Sequence, residues 1–330
     1  MNVLFVGGTG IISSACARCA LARGIDLTIL CRGRTDRHPV PSGAEWLRGD
    51  AHDTRSLDAA LGNRRFDAVV QWVGFTPDHV ERDIQVFRGR TRQYVFISSA
   101  SAYQTPPSRL PVTESTPLHN PFWGYSRDKI ACEETLIRAY RTEGFPVTIV
   151  RPSHTYDAAS LPVHGGWTVV DRMRRGRPVI VHGDGTSLWT LTHHEDFARG
   201  FVPLLGQDDV VGDSFHITSD ETLTWDQIHG LLASAIGARP QIVHVPSDLI
   251  AAFDPAWGAS LLGDKAHSMV FDNTKIKRVV PDFRAVIPYS RGAAQQVAWY
   301  EADATRRVVD ESTNAAIDQM VRQYQRAWPG

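Results

Sequence analysis

The stretch Val3-Leu4-Phe5-Val6-Gly7-Gly8-Thr9-Gly10-Ile11-Ile12-Ser13 opens the chain and decides its fold. Its four apolar residues predict a buried parallel strand, and the glycines allow a tight turn whose backbone can approach an anion closely. The apolar residues after the turn predict a helix whose N-terminal amides face that anion. The spacing is G-x-x-G-x-x-G, with Ser13 in the place of the third glycine. We predict a pyrophosphate-binding turn, with a ligand-free strand-to-helix turn as the alternative. The residues predicted to contact a nucleotide here are Gly7, Thr9, Gly10, Ile11 and Ile12.

The composition excludes several classes of protein. The 330 residues carry a formal net charge of -1, so no basic field exists to attract nucleic acid. The chain has no long apolar run and begins directly with a core strand, which indicates neither a transmembrane span nor a secretory signal. We expect a cytoplasmic protein whose partner is a small-molecule substrate rather than a nucleic acid or a membrane.

Cysteine and histidine spacing predicts neither a disulfide framework nor a metal site. Cys16 and Cys19 form a C-x-x-C on the helix after the glycine turn, where side chains three residues apart simply share a face. The run His193-His194-Glu195-Asp196 is more typical of a strand end than of a ligand set. We predict no bound metal.

Strand and helix signals alternate through the first half of the chain, which predicts βαβ units with right-handed crossovers. Strands are predicted at 27–30, 66–72, 94–98 and 147–150, and helices near 55–62, 77–90 and 125–143. After Arg151-Pro152 glycines become frequent, with helices predicted at 195–206, 224–236 and 312–327 and short strands around 179–181, 214–217 and 241–245. The predicted fold is α/β, a Rossmann-like doubly wound parallel sheet with a smaller C-terminal α/β substrate-binding lobe. Residues 1–155 form the predicted dinucleotide-binding domain, to which segments near 190–217 return, and residues 156–330 form mainly the substrate lobe.

A tyrosine and a lysine stand one helical turn apart in the 125–143 helix, as Tyr125 and Lys129. An ammonium near a phenol favours the phenolate, so this spacing predicts a tyrosine whose pKa is lowered and which exchanges a proton with a substrate hydroxyl. Upstream, the strand that ends at Ser98 runs into Ser99-Ala100-Ser101-Ala102-Tyr103. Ligands of open α/β sheets sit at this end of the strands, so a serine here can bond the same substrate oxygen.

At this point the chain resembles the extended short-chain dehydrogenase/reductase superfamily, in particular its NAD-dependent epimerase/dehydratase branch. The resemblance is close in the nucleotide half and loose beyond it, and it implies that Tyr125 is the acid/base, Lys129 its modulator and cofactor clamp, and Ser99 the residue that orients the hydroxyl. It also implies that Asp50 bonds the adenine amino group. The matching segments, in family order, are 7–13, 48–50, 98–103, 125–129 and 151–156.

The end of the second strand predicts the cofactor. An acidic residue there would bind the adenosine 2′-hydroxyl and repel a phosphate, but the position holds Cys31, followed by Arg32 and Arg34. Two guanidiniums could bind a 2′-phosphate. We predict NADP in preference to NAD, with NAD and two solvated arginines as the alternative.

Small departures from the family pattern reduce the number of reactions that this chain is expected to catalyse. Dehydratases that this chain resembles carry an Asp-Glu pair where it has Ala100 and Ser101, and GDP-mannose 3,5-epimerases carry a cysteine at the position of Ser101. Neither dehydration nor that epimerisation is therefore expected. What remains is oxidation at one carbinol, followed either by return of the hydride or by release of the product.

The substrate is predicted from weaker signals. Nucleotide-sugar epimerases that this chain resembles hold the diphosphate with an arginine at the position of Trp189, and often place an asparagine at that of His154. Charge could come instead from arginines between 172 and 177, Arg172 above all, or from Lys265 and His267. The predicted substrate contacts are Ser101, His154, Arg172 and Trp189. We predict an NAD(P)-dependent epimerase of a nucleotide-linked sugar, with an NADP-dependent reductase or dehydrogenase of a non-nucleotide carbonyl or polyol as the alternative.

Two other classes of protein, an RNA-binding protein and a catalytically silent redox sensor, are not expected. A homodimer is. Some chloroplast stem-loop-binding proteins share the expected fold, but an RNA-binding protein would need a basic face and would not need Tyr125 and Lys129. Their retention also argues against a catalytically silent redox sensor. The helix that bears them is apolar on more than one face, which favours a homodimer through this helix and the 77–90 helix over burial within one subunit.

Overall fold

The computed structural model describes residues 1–33 and 37–327; Arg34 lies outside the described residues. Seven strands form one parallel sheet in the order β11-β6-β5-β4-β1-β2-β3. The strands, in chain order, are β1 Asn2–Val6, β2 Asp26–Cys31, β3 Glu45–Arg48, β4 Phe66–Gln71, β5 Thr91–Ile97, β6 Val147–Pro152, β7 His154–Tyr156, β8 Pro178–His182, β9 Leu188–Trp189, β10 Leu191–His193, β11 Ser214–Ile217, β12 Leu223–Thr224 and β13 Gln241–Val245.

Helices cover both faces of this sheet. Helices α1 and α6 pack on one face, and α2, α3 and α4 pack on the other. The helices are α1 Ile11–Ala22, α2 Thr54–Leu61, α3 Pro77–Phe87, α4 Gly124–Glu143, α5 Trp167–Arg174, α6 His194–Phe201, α7 Trp225–Ala235, α8 Ser247–Phe253, α9 Pro255–Ser260, α10 Thr274–Val279, α11 Tyr289–Glu301 and α12 Glu311–Arg326.

Burial explains why the sheet forms where the sequence predicts it. The four apolar residues of β1, from Val3 to Val6, are fully buried between the helical layers, and each contributes about 1.5–3 kcal/mol through the hydrophobic effect. Pairing of β1 with both β2 and β4 reverses the strand order at the glycine turn, where a doubly wound sheet opens its ligand crevice. The predicted Rossmann-like α/β fold is confirmed.

The second half of the chain builds a separate apolar core. Its short strands pair two by two, β7 with β10, β8 with β13 and β9 with β12. Helices α5, α7, α11 and α12 surround the β8–β13 pair, and the indoles of Trp167, Trp189 and Trp225 belong to the same core. Strand β11 leaves this half and joins the edge of the main sheet beside β6. The division into a dinucleotide domain and a smaller substrate lobe stays a prediction, since the second core also includes Ala100, Tyr103 and Val112 from the first half.

The helix pair expected at a dimer interface packs within one chain. Helices α3 and α4 lie side by side, Leu136 of α4 is fully buried, and Ile130 and Ile137 are half-buried. The homodimer stays a prediction. Within residues 1–33 and 37–327, no helix has the length and apolar character that crossing a membrane requires.

Candidate active site

The glycine turn after β1 leaves no space for side chains. Gly7 has a φ of +84°, and a Cβ on it would lie 2.8 Å from Val73 Cγ1. A Cβ on Gly8 would lie 2.7 Å from Ile29 Cγ2. Both distances are too short for a real contact, so only glycine lets the backbone approach this closely. The turn delivers the chain to the N-terminus of α1, whose first two residues are Ile11 and Ile12.

Ser13, which stands in the place of the third glycine, caps its own helix. Its hydroxyl accepts a hydrogen bond of 2.8 Å from the backbone amide of Gly10. The side chain is buried, with 2% of its surface exposed. A small hydroxyl thus satisfies one amide at the helix start without holding the helix away from the sheet.

A groove of about 110 Å³ runs from this turn to the ends of β2 and β3. Gly7 and Thr9 line one side, and Arg32, Asp50 and His52 line the other. The Arg32 guanidinium lies 3.8 Å from the Asp50 carboxylate, and about half of the Arg32 side chain is exposed. A glycine cradle facing a cation and a carboxylate fits the adenosine end of a dinucleotide.

Lys129 is held by two carbonyl groups, one after β4 and one at the end of β5. Its ammonium donates to the oxygens of Gly74 (2.6 Å) and Ile97 (2.8 Å). The rings of Phe75 and Phe96 lie 5.0 and 4.8 Å from the nitrogen. Burial lowers the pKa of Lys129 to about 8, because desolvation disfavours the charged form.

The structure corrects the expected effect of Lys129 on Tyr125. Burial raises the pKa of Tyr125, a hydrogen bond with Ser99 opposes that rise, and Asp264 adds to it. The ammonium of Lys129 lies 5.8 Å from the centre of the Tyr125 ring and is engaged with the two carbonyls. Tyr125 is therefore a protonated acid in this arrangement, and Ser99 is the group that favours its phenolate.

A chain of hydroxyls continues from Ser99 into the protein. The Ser101 hydroxyl lies 2.9 Å from that of Ser99 and accepts a hydrogen bond of 2.8 Å from Ser126. Ser101 and Ser126 are both buried. Ser101 borders the cleft, and its hydroxyl contacts those of Ser99 and Ser126. It can therefore position Ser99, and its predicted contact with the substrate stays a prediction.

Asn120, which the sequence did not single out, joins three parts of the site. Its side-chain nitrogen donates to the carbonyls of Ser101 (2.9 Å) and Gly263 (2.6 Å). Its oxygen accepts from the amides of Phe122 (3.2 Å) and Trp123 (3.1 Å), just before α4. Asn120 therefore fixes the serine turn, the start of α4 and the 261–265 segment. The only sequence signal was an Asn-Pro pair ahead of a helix.

A cleft of about 340 Å³ opens in front of Ser99 and Tyr125. His154 and Trp189 both line it, as the sequence predicted, and the Trp189 indole donates a hydrogen bond of 3.1 Å to His154 Nδ1. Burial, and to a smaller extent Lys265, lowers the pKa of His154 to about 3. The imidazole is thus neutral at physiological pH.

Two charged residues reach this cleft from a single π-helical turn, Leu261–Lys265. The Lys265 ammonium lies 3.5 Å from the Asp264 carboxylate, and burial raises the pKa of Asp264. The ammonium also lies 5.3 Å from the ring centre of Trp123. In the described part of the chain, the cleft lining carries no other charged side chain. The negative charge of Asp264 and the positive charge of Lys265 therefore nearly cancel.

Arg172 does not reach the cleft, and its prediction as a substrate contact is corrected. Its side chain is 1% exposed and donates to the carbonyl of Pro178 (2.8 Å), to Asn314 Oδ1 (2.5 Å) and to Asp318 (2.7 Å). These bonds hold α5 against α12 within the second core. The neighbouring arginines are paired with carboxylates as well: Arg174 with Glu301, Arg175 with Asp171 and Arg177 with Asp318.

Comparison with known proteins agrees with this geometry. Residues 3–217 match the model of the NAD dependent epimerase/dehydratase family. A 2′-dehydrokanamycin reductase from Streptomyces kanamyceticus is 24% identical over 86% of this chain and 80% of its own. The chloroplast stem-loop binding protein of 41 kDa b from Arabidopsis thaliana is 27% identical over 74% of this chain and 65% of its own. A UDP-glucose 4-epimerase from Lactobacillus helveticus is 29% identical over 48% of this chain, and the chain spans about half (53%) of that protein.

Solved structures share the fold at low identity. A dTDP-glucose 4,6-dehydratase from Streptomyces venezuelae, with NAD bound, superposes with a TM-score of 0.74 at 22% identity, over 92% of this chain and 98% of that one. A UDP-glucose 4-epimerase from Thermus thermophilus in complex with NAD superposes with a TM-score of 0.72 at 21% identity, over 91% and 99%.

Proposed function

The chain belongs to the NAD dependent epimerase/dehydratase family, and we propose that it catalyses net oxidation or reduction at one secondary carbinol of a sugar that carries no diphosphate. This is the alternative that the sequence left open. The enzyme class follows from the family, whereas the substrate and the outcome of the reaction are proposals from the cleft.

The observation that carries the chemistry is the placement of Ser99 and Tyr125 in the lining of one cleft, where Ser99 lowers the pKa of the Tyr125 phenol against the effect of burial. A substrate oxygen placed between the two hydroxyls would exchange its proton with the phenol of Tyr125 and accept a hydrogen bond from Ser99. In reduction the buried Tyr125, whose pKa is raised, is the proton donor. In oxidation the hydrogen bond with Ser99 favours the phenolate that accepts the proton.

The glycine turn, the ends of the neighbouring strands and α4 each supply residues that would hold the cofactor. The glycine turn and the start of α1 would take the pyrophosphate, Arg32 and Asp50 the adenosine end, and Lys129 the nicotinamide ribose. When bound, the nicotinamide supplies or takes the hydride. The exposed Arg32 supports NADP as the preferred form, and NAD remains the form bound by the structural relatives.

The charge of the cleft favours a substrate without a diphosphate. A diphosphate carries about two negative charges, while the described lining offers one ammonium that already faces Asp264. An epimerase must also retain its ketone while the ring turns over, and such retention is helped by a strong ionic anchor. Without that anchor the ketone leaves, and the net result is oxidation or reduction.

A second candidate, epimerisation of a nucleotide-linked sugar, is favoured by relatives. UDP-glucose 4-epimerases are among them, although the one from Lactobacillus helveticus matches only 48% of this chain. The relative from Streptomyces kanamyceticus matches 86% of it and is, by its name, a reductase of 2′-dehydrokanamycin, not an epimerase. Nucleic-acid binding, which the chloroplast relative raises, is opposed by a net charge of -1.

The proposal is tested by cofactor identification followed by turnover. Protein denatured directly after purification is assayed by mass spectrometry for released NAD or NADP and for nucleotide sugars. NAD(P)H oxidation is then followed with uncharged keto-sugars and with UDP-4-keto-glucose as competing substrates. We expect turnover of an uncharged keto-sugar with stoichiometric loss of NAD(P)H, and loss of that turnover in Tyr125→Phe with cofactor affinity retained. Co-purified nucleotide sugar, or epimerisation of UDP-glucose without net consumption of cofactor, would establish the second candidate instead.

A further inference from the structure

A second cavity of about 210 Å³ adjoins the cleft and has no role in the chemistry described so far. The two share His154 and Lys265 in their linings. The remaining lining is rich in rings and includes His164, His182, Trp225, His229 and Trp257. We call this cavity the imidazole chamber.

We propose that the imidazole chamber binds a second, uncharged and hydroxylated ring of the substrate, so that the enzyme acts on a neutral glycoside of two rings. The inference rests on the proposed function, since it takes the first ring to react at Ser99 and Tyr125. The evidence for the second ring comes from the chamber alone: its charge, its hydrogen-bonding groups and its shape do not depend on the reaction at Ser99 and Tyr125.

The four histidines of the chamber are uncharged at neutral pH. Burial lowers the pKa of His154 to about 3 and of His182 to about 4, and it lowers the pKa of His164 and His229 as well. Among the described residues that line the chamber, Lys265 is the one charged side chain. Its ammonium lies beside Asp264 at the border with the cleft. A neutral lining selects a neutral occupant, because an ion would lose its hydration without a counter-charge.

Contacts within the wall fix the tautomers of three imidazoles. His182 Nε2 donates to the carbonyl of Lys265 (2.9 Å), and His229 Nδ1 donates to that of Trp225 (2.8 Å). His154 Nδ1 accepts from the Trp189 indole. At neutral pH this leaves an acceptor nitrogen on His182, an acceptor nitrogen on His229 and a donor N–H on His154. Hydroxyl groups both donate and accept, so a polyhydroxylated ring complements this mixed set.

Indole rings supply the apolar part of the chamber. Trp225 lies edge to face with His182, with ring centres 4.9 Å apart. Trp257 stacks on His164 at 4.0 Å with 5° between the planes. Flat rings that offer apolar faces beside polar nitrogens suit a sugar ring, which carries C–H groups on its faces and hydroxyls around its edge.

One residue connects the chamber with the cleft. The Lys265 carbonyl accepts hydrogen bonds from His182 (2.9 Å), from the Trp225 indole (3.2 Å) and from the Ser187 hydroxyl (3.2 Å), while its side chain borders both cavities. The border between the two cavities is therefore a fixed part of the structure. A two-ring substrate would pass its glycosidic oxygen along this border, within reach of the donor N–H of His154.

The size of the chamber agrees with a single ring. Its volume of about 210 Å³ compares with roughly 30 Å³ for one water in the liquid. Leu161 borders the chamber and is half-buried at the edge of the second core, so a larger side chain at this position would fill the space. That makes Leu161→Trp a direct test. Val308 is 70% exposed, and Val308→Trp is a matched control that adds the same indole elsewhere.

The experiment measures ligand binding to the full chain saturated with NADP⁺, by isothermal titration calorimetry. The probes are uncharged disaccharides that cover the common glycosidic linkages, their constituent monosaccharides, UDP and UDP-glucose. We expect at least one disaccharide to bind at least tenfold more tightly than its monosaccharides, and Leu161→Trp to remove this advantage. Monosaccharide and NADPH binding should stay unchanged in Leu161→Trp, and Val308→Trp should behave as the parent protein.

Three outcomes would overturn the proposal: no disaccharide binds better than its monosaccharides, UDP or UDP-glucose binds more tightly than every disaccharide, or Leu161→Trp leaves the disaccharide advantage intact. The two proposals fail in different ways. If disaccharides lose their advantage in Leu161→Trp but Tyr125→Phe turns over a keto-sugar normally, the subsite stands and the proposed function is wrong. If Tyr125→Phe is inactive and no disaccharide advantage exists, the function stands and the subsite is wrong.

Discussion

The hydroxyl of Ser101 lies 2.9 Å from that of Ser99, and this contact joins Ser101 to the hydroxyl that we propose to orient the substrate. Ser126 donates to Ser101 from the first turn of α4, the turn that also carries Tyr125. The orientation of the Ser99 hydroxyl is therefore coupled to the position of α4 through two buried side chains, Ser101 and Ser126.

Removal of the Ser126 hydroxyl should slow catalysis without weakening substrate binding. Ser126→Ala deletes one hydrogen bond, which is worth about 0.5–1.5 kcal/mol, so we expect kcat to fall by roughly 3- to 10-fold with little change in KM. Ser126→Thr should retain most of the activity, since it keeps the hydroxyl. Steady-state kinetics at saturating cofactor measure both constants. A higher KM with an unchanged kcat in Ser126→Ala would instead favour the predicted contact between Ser101 and the substrate.

The lowered pKa of Lys129 predicts a loss of activity in mild alkali. Its pKa of about 8 means that the ammonium is present below that pH and disappears above it. We expect kcat/KM for ketone reduction to decline as the pH rises through about 8. Lys129→Arg, which stays protonated, should lack this decline. Measurement of kcat/KM from pH 6 to 10 tests this prediction. If kcat/KM declines equally in Lys129→Arg, a group other than Lys129 causes the decline.

The same pKa shift has a consequence for stability. The folded protein holds Lys129 at a pKa of about 8, below its ordinary value of 10.5, so between these values the unfolded chain binds more protons than the folded one. The free energy of unfolding therefore gains a contribution that increases with pH over this window. Urea unfolding of the parent protein and of Lys129→Met at pH 7 and pH 10 should show the parent gaining stability relative to the variant. An equal response to pH would contradict this.

The sequence predicted most of the fold because the sheet is built from strong, local signals. The buried run from Val3 to Val6 and the glycines behind it form the predicted strand and turn, and Tyr125 and Lys129 fall on one helix as their spacing requires. Strand β3 was missed, since three of its four residues are exposed and it lies at the sheet edge. Helices α5, α8, α9, α10 and α11 were missed as well. For α5 and α11, the packing of the second core, rather than a clear period, specifies the helix.

Contacts between distant segments explain what the sequence could not predict in the site. Arg172 has the charge of a phosphate ligand, but its partners Asn314 and Asp318 stand more than 140 residues away in the chain. Asn120 likewise reaches Gly263 across 143 residues. The pKa of Tyr125 depends on burial and on Ser99, neither of which follows from its spacing to Lys129.

Loss of the Asn120 amide should separate the parts of the site that it joins. Asn120→Ala leaves buried carbonyls and amides without their partner, at about 1–3 kcal/mol for each group, so we expect a drop of several degrees in Tm together with a large loss of kcat. Asn120→Asp keeps the acceptor for the two amides and loses the donors to Ser101 and Gly263. Its Tm should lie between those of the parent and Asn120→Ala, as thermal unfolding would show. An unchanged Tm in both variants would contradict the proposal that Asn120 holds the three segments together by its hydrogen bonds.

Arg32 provides the test of cofactor preference. Its guanidinium lies in the nucleotide groove, half exposed and 3.8 Å from Asp50, so it can turn to a 2′-phosphate while Asp50 stays in place. A charged hydrogen bond is worth about 1.5–3 kcal/mol; Arg32→Ala should therefore weaken NADPH binding by about tenfold or more and change NADH binding by less than twofold. Arg32→Lys should recover part of the NADPH affinity, because it restores the charge without the planar fork. Fluorescence titration of each variant with both reduced cofactors gives the four dissociation constants. Equal losses for NADH and NADPH would mean that Arg32 supports the groove through Asp50 and that NAD is the natural cofactor.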